Sequence, residues 1–128
     1  VVYVCGPSRL IDAVHAAAAR HGAAARVRCE RFVPGRRDTD APIAVELTRS
    51  SRRVDVRPDQ TILEAVEEIG VTVPASCRNG TCGTCATKVL AGTPEHRDRA
   101  LTAAERDRAG LMCICVSRAA TPELAPDL

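Results

Sequence analysis

Hydrophobic positions change their period several times along the 128-residue chain, and each change marks a predicted element. Residues 1–5 form an apolar run closed by Gly6-Pro7. Leu10, Ile11, Val14, Ala17 and Ala18 then recur at helical spacing, with Ser8 as the predicted cap and Gly22 as the stop. Residues 25–32 read as a second strand. Strand, helix and strand in this order imply two parallel strands joined by a crossover. Because parallel sheets need both faces covered, residues 1–33 are expected to be the C-terminal remnant of a larger α/β domain, with the chain starting as a truncation. Residues 34–42, from Pro34 to Pro42, lack apolar periodicity and have the composition of a linker.

Beyond it the period becomes two. Ile43, Val45 and Leu47 alternate with polar or small residues, as do Val54 and Val56, which predicts a hairpin turning at residues 49–52. Residues 61–69 place Ile62, Leu63, Val66 and Ile69 on one helical face, with Glu64, Glu67 and Glu68 off it as surface and Gly70 as the stop. A strand is predicted at residues 84–90. Thr102 and Glu105 form a capping-box pair opening a short helix that reaches Gly110, and residues 111–116 read as a strand. Pro126, inside the final apolar stretch, predicts an edge strand or a frayed end. Residues 43–128 therefore form an α+β domain with a long loop over residues 71–83.

Composition sharpens this picture in two ways. Apolar residues make up 45% of the chain and aromatic residues 2%, so the core must be built from Val, Ile, Leu and Ala. The net charge of +2 divides into +3 over residues 1–40 and −1 over residues 41–128, and neither part carries a nucleic-acid-binding signature. No apolar run is long enough to span a bilayer, and the chain is expected to be soluble and cytoplasmic, with no membrane partner.

The chemistry lies in the cysteines. Seven occur, at positions 5, 29, 77, 82, 85, 113 and 115, an odd number that would leave one outside any disulfide framework. Cys77, Cys82 and Cys85 put three thiols into nine residues at four-then-two spacing, with a distant fourth to follow, which is the plant-type 2Fe-2S ferredoxin pattern. Gly80 and Gly83 allow tight turns, and Asn79, Thr81 and Thr84 are short enough to let main-chain N–H groups approach sulfur. Arg78 adds positive charge beside an anionic centre. A structural zinc site is the bland alternative, but zinc knuckles draw ligand pairs from two separate places. A Rieske centre needs two histidine ligands, and none of His15, His21 and His96 lies beside a clustered cysteine. The fourth ligand is Cys113 or Cys115. Strand alternation cannot choose between them, because residues two apart face the same side.

Several segments together resemble the C-terminal part of the phthalate dioxygenase reductase and vanillate demethylase reductase family. They are Thr61-Ile62-Leu63-Glu64-Ala65, the stretch from Cys77 to Cys85, Glu95-His96-Arg97-Asp98, and Cys115-Val116-Ser117-Arg118-Ala119, joined upstream by Val4-Cys5-Gly6-Pro7. The resemblance implies a β-grasp-like ferredoxin domain preceded by the end of a nicotinamide-binding domain. Plant-type spacing favours Cys115, with 29 residues between it and Cys85, so the implied metal ligands are Cys77, Cys82, Cys85 and Cys115. It also implies that Cys5 and Gly6 lie near the nicotinamide ring, although Cys5 alone reads as a buried strand-end cysteine, and Cys29 as a half-buried strand residue.

The implied full-length protein is an NAD(P)H-dependent oxidoreductase in which FMN in a flavin domain donates electrons, the 2Fe-2S cluster carries them, and a Rieske-type oxygenase accepts them. The segment present needs no catalytic acid, base or nucleophile. His96 and its charged neighbours read on chemistry alone as a solvated loop. Two rivals stand beside this reading: a ferredoxin carrier for another system such as a cytochrome P450, and a zinc-stabilised module without redox activity. Residues 1–32 argue against a free ferredoxin, which has no use for them.

Overall fold

A computed structural model describes residues 1–6, 8–30 and 35–128, and divides the chain into two compact units, Val1–Phe32 and Val33–Leu128.

In the first unit, β1 (Val2–Cys5) and β2 (Val27–Glu30) pair in parallel, with Val4 opposite Cys29 and Cys5 opposite Glu30. Between them runs α1 (Ser8–Arg20), so Ser8 lies within the helix and not before it. The helix closes as the sequence predicts: Gly22 adopts φ +66°, and the N–H groups of Gly22 and Ala23 bond back to Ala19 and Ala18. The second strand is shorter than its apolar run, because Ala24–Arg26 form a 3₁₀ turn; Phe32 and Pro34 lie outside the described residues. Ile11 and Val27 are buried, whereas Val2 and Tyr3 are exposed, as a two-stranded parallel sheet leaves them.

The second unit is an α+β grasp. Its strands are β3 (Ile43–Leu47), β4 (Arg52–Val56), β5 (Ala86–Ala91), β6 (Pro94–Glu95), β7 (Leu111–Cys113), β8 (Arg118–Ala119) and β9 (Glu123–Pro126), with helices α2 (Ile62–Glu68) and α3 (Ala103–Asp107). Five strands form one sheet in the order β4-β3-β9-β5-β7, and β6 pairs with β8. The hairpin pairs Ile43 with Val56 and Leu47 with Arg52, burying Ile43, Val45, Leu47 and Val56 against Ile62, Leu63 and Val66 of α2. A core without large rings follows from the composition. Thr61 caps α2 through a reciprocal box with Glu64, and Leu63 N–H donates to the Ile114 carbonyl at 3.0 Å, tying the helix to the segment after β7. The Thr102–Glu105 box forms as predicted, but α3 ends at Asp107, short of Gly110.

Two readings are corrected here. The final strand, β9, is central and not an edge: it runs parallel to β3 and antiparallel to β5. Pro126 is tolerated because it is the last residue of the strand and faces Val89 where β5 is irregular, so no ladder donor is missed. Its carbonyl still accepts from Thr48, and Asp127 N–H resumes the pairing with Lys88. The second correction concerns residues 111–116, which are not one strand. β7 stops at Cys113, and the N–H groups of Val116 and Ser117 both bond to the Cys113 carbonyl, turning the chain.

Residues 35–42, which have a linker's composition, are tied to the second unit. Asp40 accepts from both Arg97 nitrogens at 2.9 and 2.6 Å, Arg97 also reaches the Gly35 carbonyl, and Arg118 Nη2 donates to the Ala41 carbonyl.

Candidate metal centre

The loop over residues 71–85 leaves α2, carries Cys77, Cys82 and Cys85, and enters β5. It has no strand or helix of its own, so its main-chain N–H groups are free to serve sulfur. Asn79 and Thr81 donate to Cys77 Sγ at 3.4 Å each, and Thr84 N–H donates to Cys82 Sγ at 3.4 Å, while Thr84 Oγ1 lies 3.2 Å from the same sulfur. Asn79 N–H, then Thr81, pull the Cys77 thiol down to about 5, so that thiolate is favoured there.

The turn that ends β7 brings Cys115 to this loop. Cys85 and Cys115 interact directly and compete for one proton: contact with the Cys115 thiol lowers Cys85, while Cys85, with burial added, raises Cys115. Cys82 is exposed and Cys77 half-buried, whereas Cys85 and Cys115 are buried. Among the described residues, no three Cys, His, Asp or Glu side chains converge on a point that one metal ion could occupy. Three thiols from one loop, with amide N–H groups on Cys77 and Cys82, and a fourth from the turn after β7 suit a two-iron cluster held by four thiolates better than a single tetrahedral zinc.

Cys113 is separated from Cys115 by the turn. It lies in β7 opposite Ala86, is wholly buried, and has its thiol pushed up by burial first and then by Cys85. The ambiguity seen in the sequence assumed a strand through both cysteines, and the strand ends between them. Cys5 and Gly6 belong to the first unit, where Cys5 is exposed at the end of β1 and Gly6 has φ +142°. Cys29 is exposed and not half-buried.

Close packing beneath the loop centres on Gly80. Its φ is +81°, and a Cβ there would stand 2.8 Å from Val116 Cγ2 and 3.1 Å from Asp98 Cα. The carbonyl of Gly80 accepts Arg99 N–H at 2.8 Å.

Residues 95–98 are therefore not a solvated loop. Asp98 has no exposed side-chain surface: Oδ2 accepts from Leu101 N–H at 2.9 Å and Arg106 Nη2 at 3.2 Å, and Oδ1 lies 3.4 Å from the Ser117 hydroxyl. His96 Nδ1 is buried without a hydrogen-bond partner, 3.7 Å from the same Oδ1. Of the three helix acids Glu68 is exposed, but the other two are committed. Glu64 caps α2, and Glu67 holds the Arg78 guanidinium with both carboxylate oxygens, so neither is spare surface and the Arg78 charge is largely offset. Asp98 and Ser117 escaped the sequence reading because their importance comes from burial. The Thr61-x-x-Glu64 box was legible but passed over.

The grasp fold, the three-thiol loop and the thiol-bearing turn define a small iron–sulfur domain of the ferredoxin class. Residues 45–120 match the family described as the 2Fe-2S iron-sulfur cluster binding domain, and the chain belongs to that family. It is 39% identical over 128 residues to a carnitine monooxygenase reductase subunit of Acinetobacter baumannii, spanning 99% of this chain and 40% of that relative. Among solved structures it superposes on phthalate dioxygenase reductase with a TM-score of 0.67 and 36% identity, covering 99% of this chain and 39% of the other. It superposes equally on an intact type IV self-sufficient cytochrome P450 monooxygenase, with a TM-score of 0.68 and 34% identity, covering 99% of this chain and 17% of the other. The chain thus spans about 40% of the length of the curated relatives it matches. The P450 match includes the first unit, so residues 1–32 do not discriminate against a P450 with its own reductase parts. Among the described residues no helix is long and apolar enough to cross a membrane.

Proposed function

We propose that this chain is a one-electron carrier in which Cys77, Cys82, Cys85 and Cys115 hold a 2Fe-2S cluster, forming the C-terminal part of an NAD(P)H-dependent reductase. The observation that carries the reading is that one loop presents three thiols, two of them accepting loop N–H groups, and the turn after β7 brings Cys115 against the third, Cys85. When bound, the cluster supplies single-electron exchange at low potential, about −400 mV for plant-type centres. The chain's own part is to hold and shield it. Asn79, Thr81 and Thr84 direct N–H dipoles at the ligand sulfurs and so oppose the site's negative charge. Met112, Ile114 and Leu63 keep water from the Cys85–Cys115 side, while Cys82 leaves the opposite edge open to a redox partner.

The first unit is read as the end of a nicotinamide-binding domain, with Cys5 and Gly6 close to the nicotinamide ring and an FMN-bearing flavin domain as the electron donor. Matches to oxygenase reductase subunits across 99% of the chain support this, and favour a Rieske-type oxygenase as acceptor. A cytochrome P450 acceptor is the second reading, supported by the equally complete structural match. Extending the reading frame upstream separates the two, since a P450 domain on the same chain would assign the acceptor directly.

Anaerobically prepared protein should contain iron and acid-labile sulfide in equal amounts and give a paramagnetic signal on reduction with dithionite. Cys115→Ser should lose that signal or change its spectrum, and Cys113→Ser should keep it. Zinc without iron or sulfide would end the electron-carrier reading, and the reverse result with the two serines would move the fourth ligand to Cys113.

A further inference from the structure

The carboxylate of Asp98 is the most completely enclosed acidic group beside the proposed cluster loop, and none of the proposed roles uses it. It joins two pieces of chain that meet at the site. Through its own backbone and that of Arg99, the segment lies against Gly80: Arg99 N–H holds the Gly80 carbonyl at 2.8 Å, and Asp98 Cα fills the space a Gly80 Cβ would need. Through Oδ1 it faces Ser117, two residues beyond Cys115, whose hydroxyl also accepts Arg97 N–H at 3.0 Å. Arg106 grips both the carboxylate and the main-chain carbonyl of Asp98, at 3.2 and 2.8 Å, and Leu101 N–H completes Oδ2. Gly80 lies in the loop between the ligands Cys77 and Cys82.

We propose that Asp98 is a positioning residue of the cluster site, clamping the Gly80 peptide and the turn after Cys115 into one geometry while placing a fixed negative charge beneath them. The proposal rests on the cluster reading above, and its test separates the two. A carboxylate that only stabilised the fold would alter the unfolding midpoint and leave the cluster's potential alone. A carboxylate that positions the site changes how tightly iron is held, and its charge sets part of the potential.

The test uses the whole chain, loaded anaerobically, as wild type, Asp98→Asn, Ser117→Ala and, as a control on the neighbouring helix, Glu105→Gln. Two quantities are read: the rate of iron loss to EDTA and the midpoint potential. Asp98→Asn should lose iron about 10–100-fold faster, the usual cost of an outer-sphere change, and its potential should rise because a buried negative charge has gone. Ser117→Ala keeps the charge, so it should lose iron faster with a smaller change in potential, and Glu105→Gln should match wild type in both. An Asp98→Asn protein with wild-type iron loss or an unmoved potential overturns the proposal. If Asp98→Asn takes up no cluster, Ser117→Ala decides, and wild-type iron retention there overturns it equally. Wild-type protein that binds no iron and sulfide would instead overturn the cluster reading itself.

Discussion

Replacing Gly80 by alanine perturbs the proposed site at a point where two costs can be separated. The first is conformational: φ at Gly80 is +81°, and an L-residue in the left-handed region costs about 1–2 kcal/mol. The second is steric. The new Cβ would lie 2.8 Å from Val116 Cγ2 and 3.1 Å from Asp98 Cα. The valine methyl can yield only by disturbing a buried neighbour, and the Asp98 atom is main chain, held by Arg106 and by the Arg99–Gly80 hydrogen bond. Overpacking of this kind costs about 1–3 kcal/mol, giving a total of about 2–5 kcal/mol. Gly70 is the natural control within the same unit: its φ is +84°, and nothing lies within 4 Å of a Cβ built there, so Gly70→Ala incurs the first cost alone. Urea denaturation of the loaded proteins, with iron and sulfide assayed beforehand, should place Gly80→Ala about 1–3 kcal/mol below Gly70→Ala, with less iron retained. The steric reasoning is refuted if the two variants unfold alike and Gly80→Ala holds a full complement of iron.

Asp40 offers a pH-dependent test. Its hydrogen bonds to the Arg97 guanidinium hold the carboxyl well below its ordinary 3.8, at about 2, so the stability it contributes is present above pH 4 and lost as pH falls through 3.8 towards 2. That depression corresponds to roughly 2 kcal/mol, and Asp40→Asn should both destabilise the protein at pH 7 and flatten the loss of stability between pH 4 and 2 relative to wild type; parallel curves would contradict it. Thr61→Ala removes one half of the box that starts α2 and should cost about 1 kcal/mol in the same denaturation assay, an unchanged midpoint being the contrary result.

Features that depend on local pattern or local chemistry could be read along the chain. The hairpin at Ile43–Leu47 and Arg52–Val56, the helix over Ile62–Glu68, the Thr102–Glu105 box and the Gly22 helix stop follow from period two, period 3.6 and capping residues, which act between positions close in the chain. The thiol spacing from Cys77 to Cys85 was legible for the same reason, since three candidate ligands in one loop need no tertiary contact to be recognised. Tertiary structure decided the rest. Pro126 looked like an edge residue because only local propensity was visible, but a strand's place in a sheet depends on which distant segments pair with it, and here β3 and β5 close around β9. Strand alternation put Cys113 and Cys115 on one face, but the carbonyl of Cys113 takes two N–H groups and the strand ends there. Glu95 to Asp98 looked solvated because charged residues are normally exposed, and only burial against Gly80, Ser117 and Arg106 makes that segment part of the floor beneath the loop. Periodicity reports which face of an element is apolar; it carries no information on which remote polar groups will share a desolvated space and must then satisfy one another.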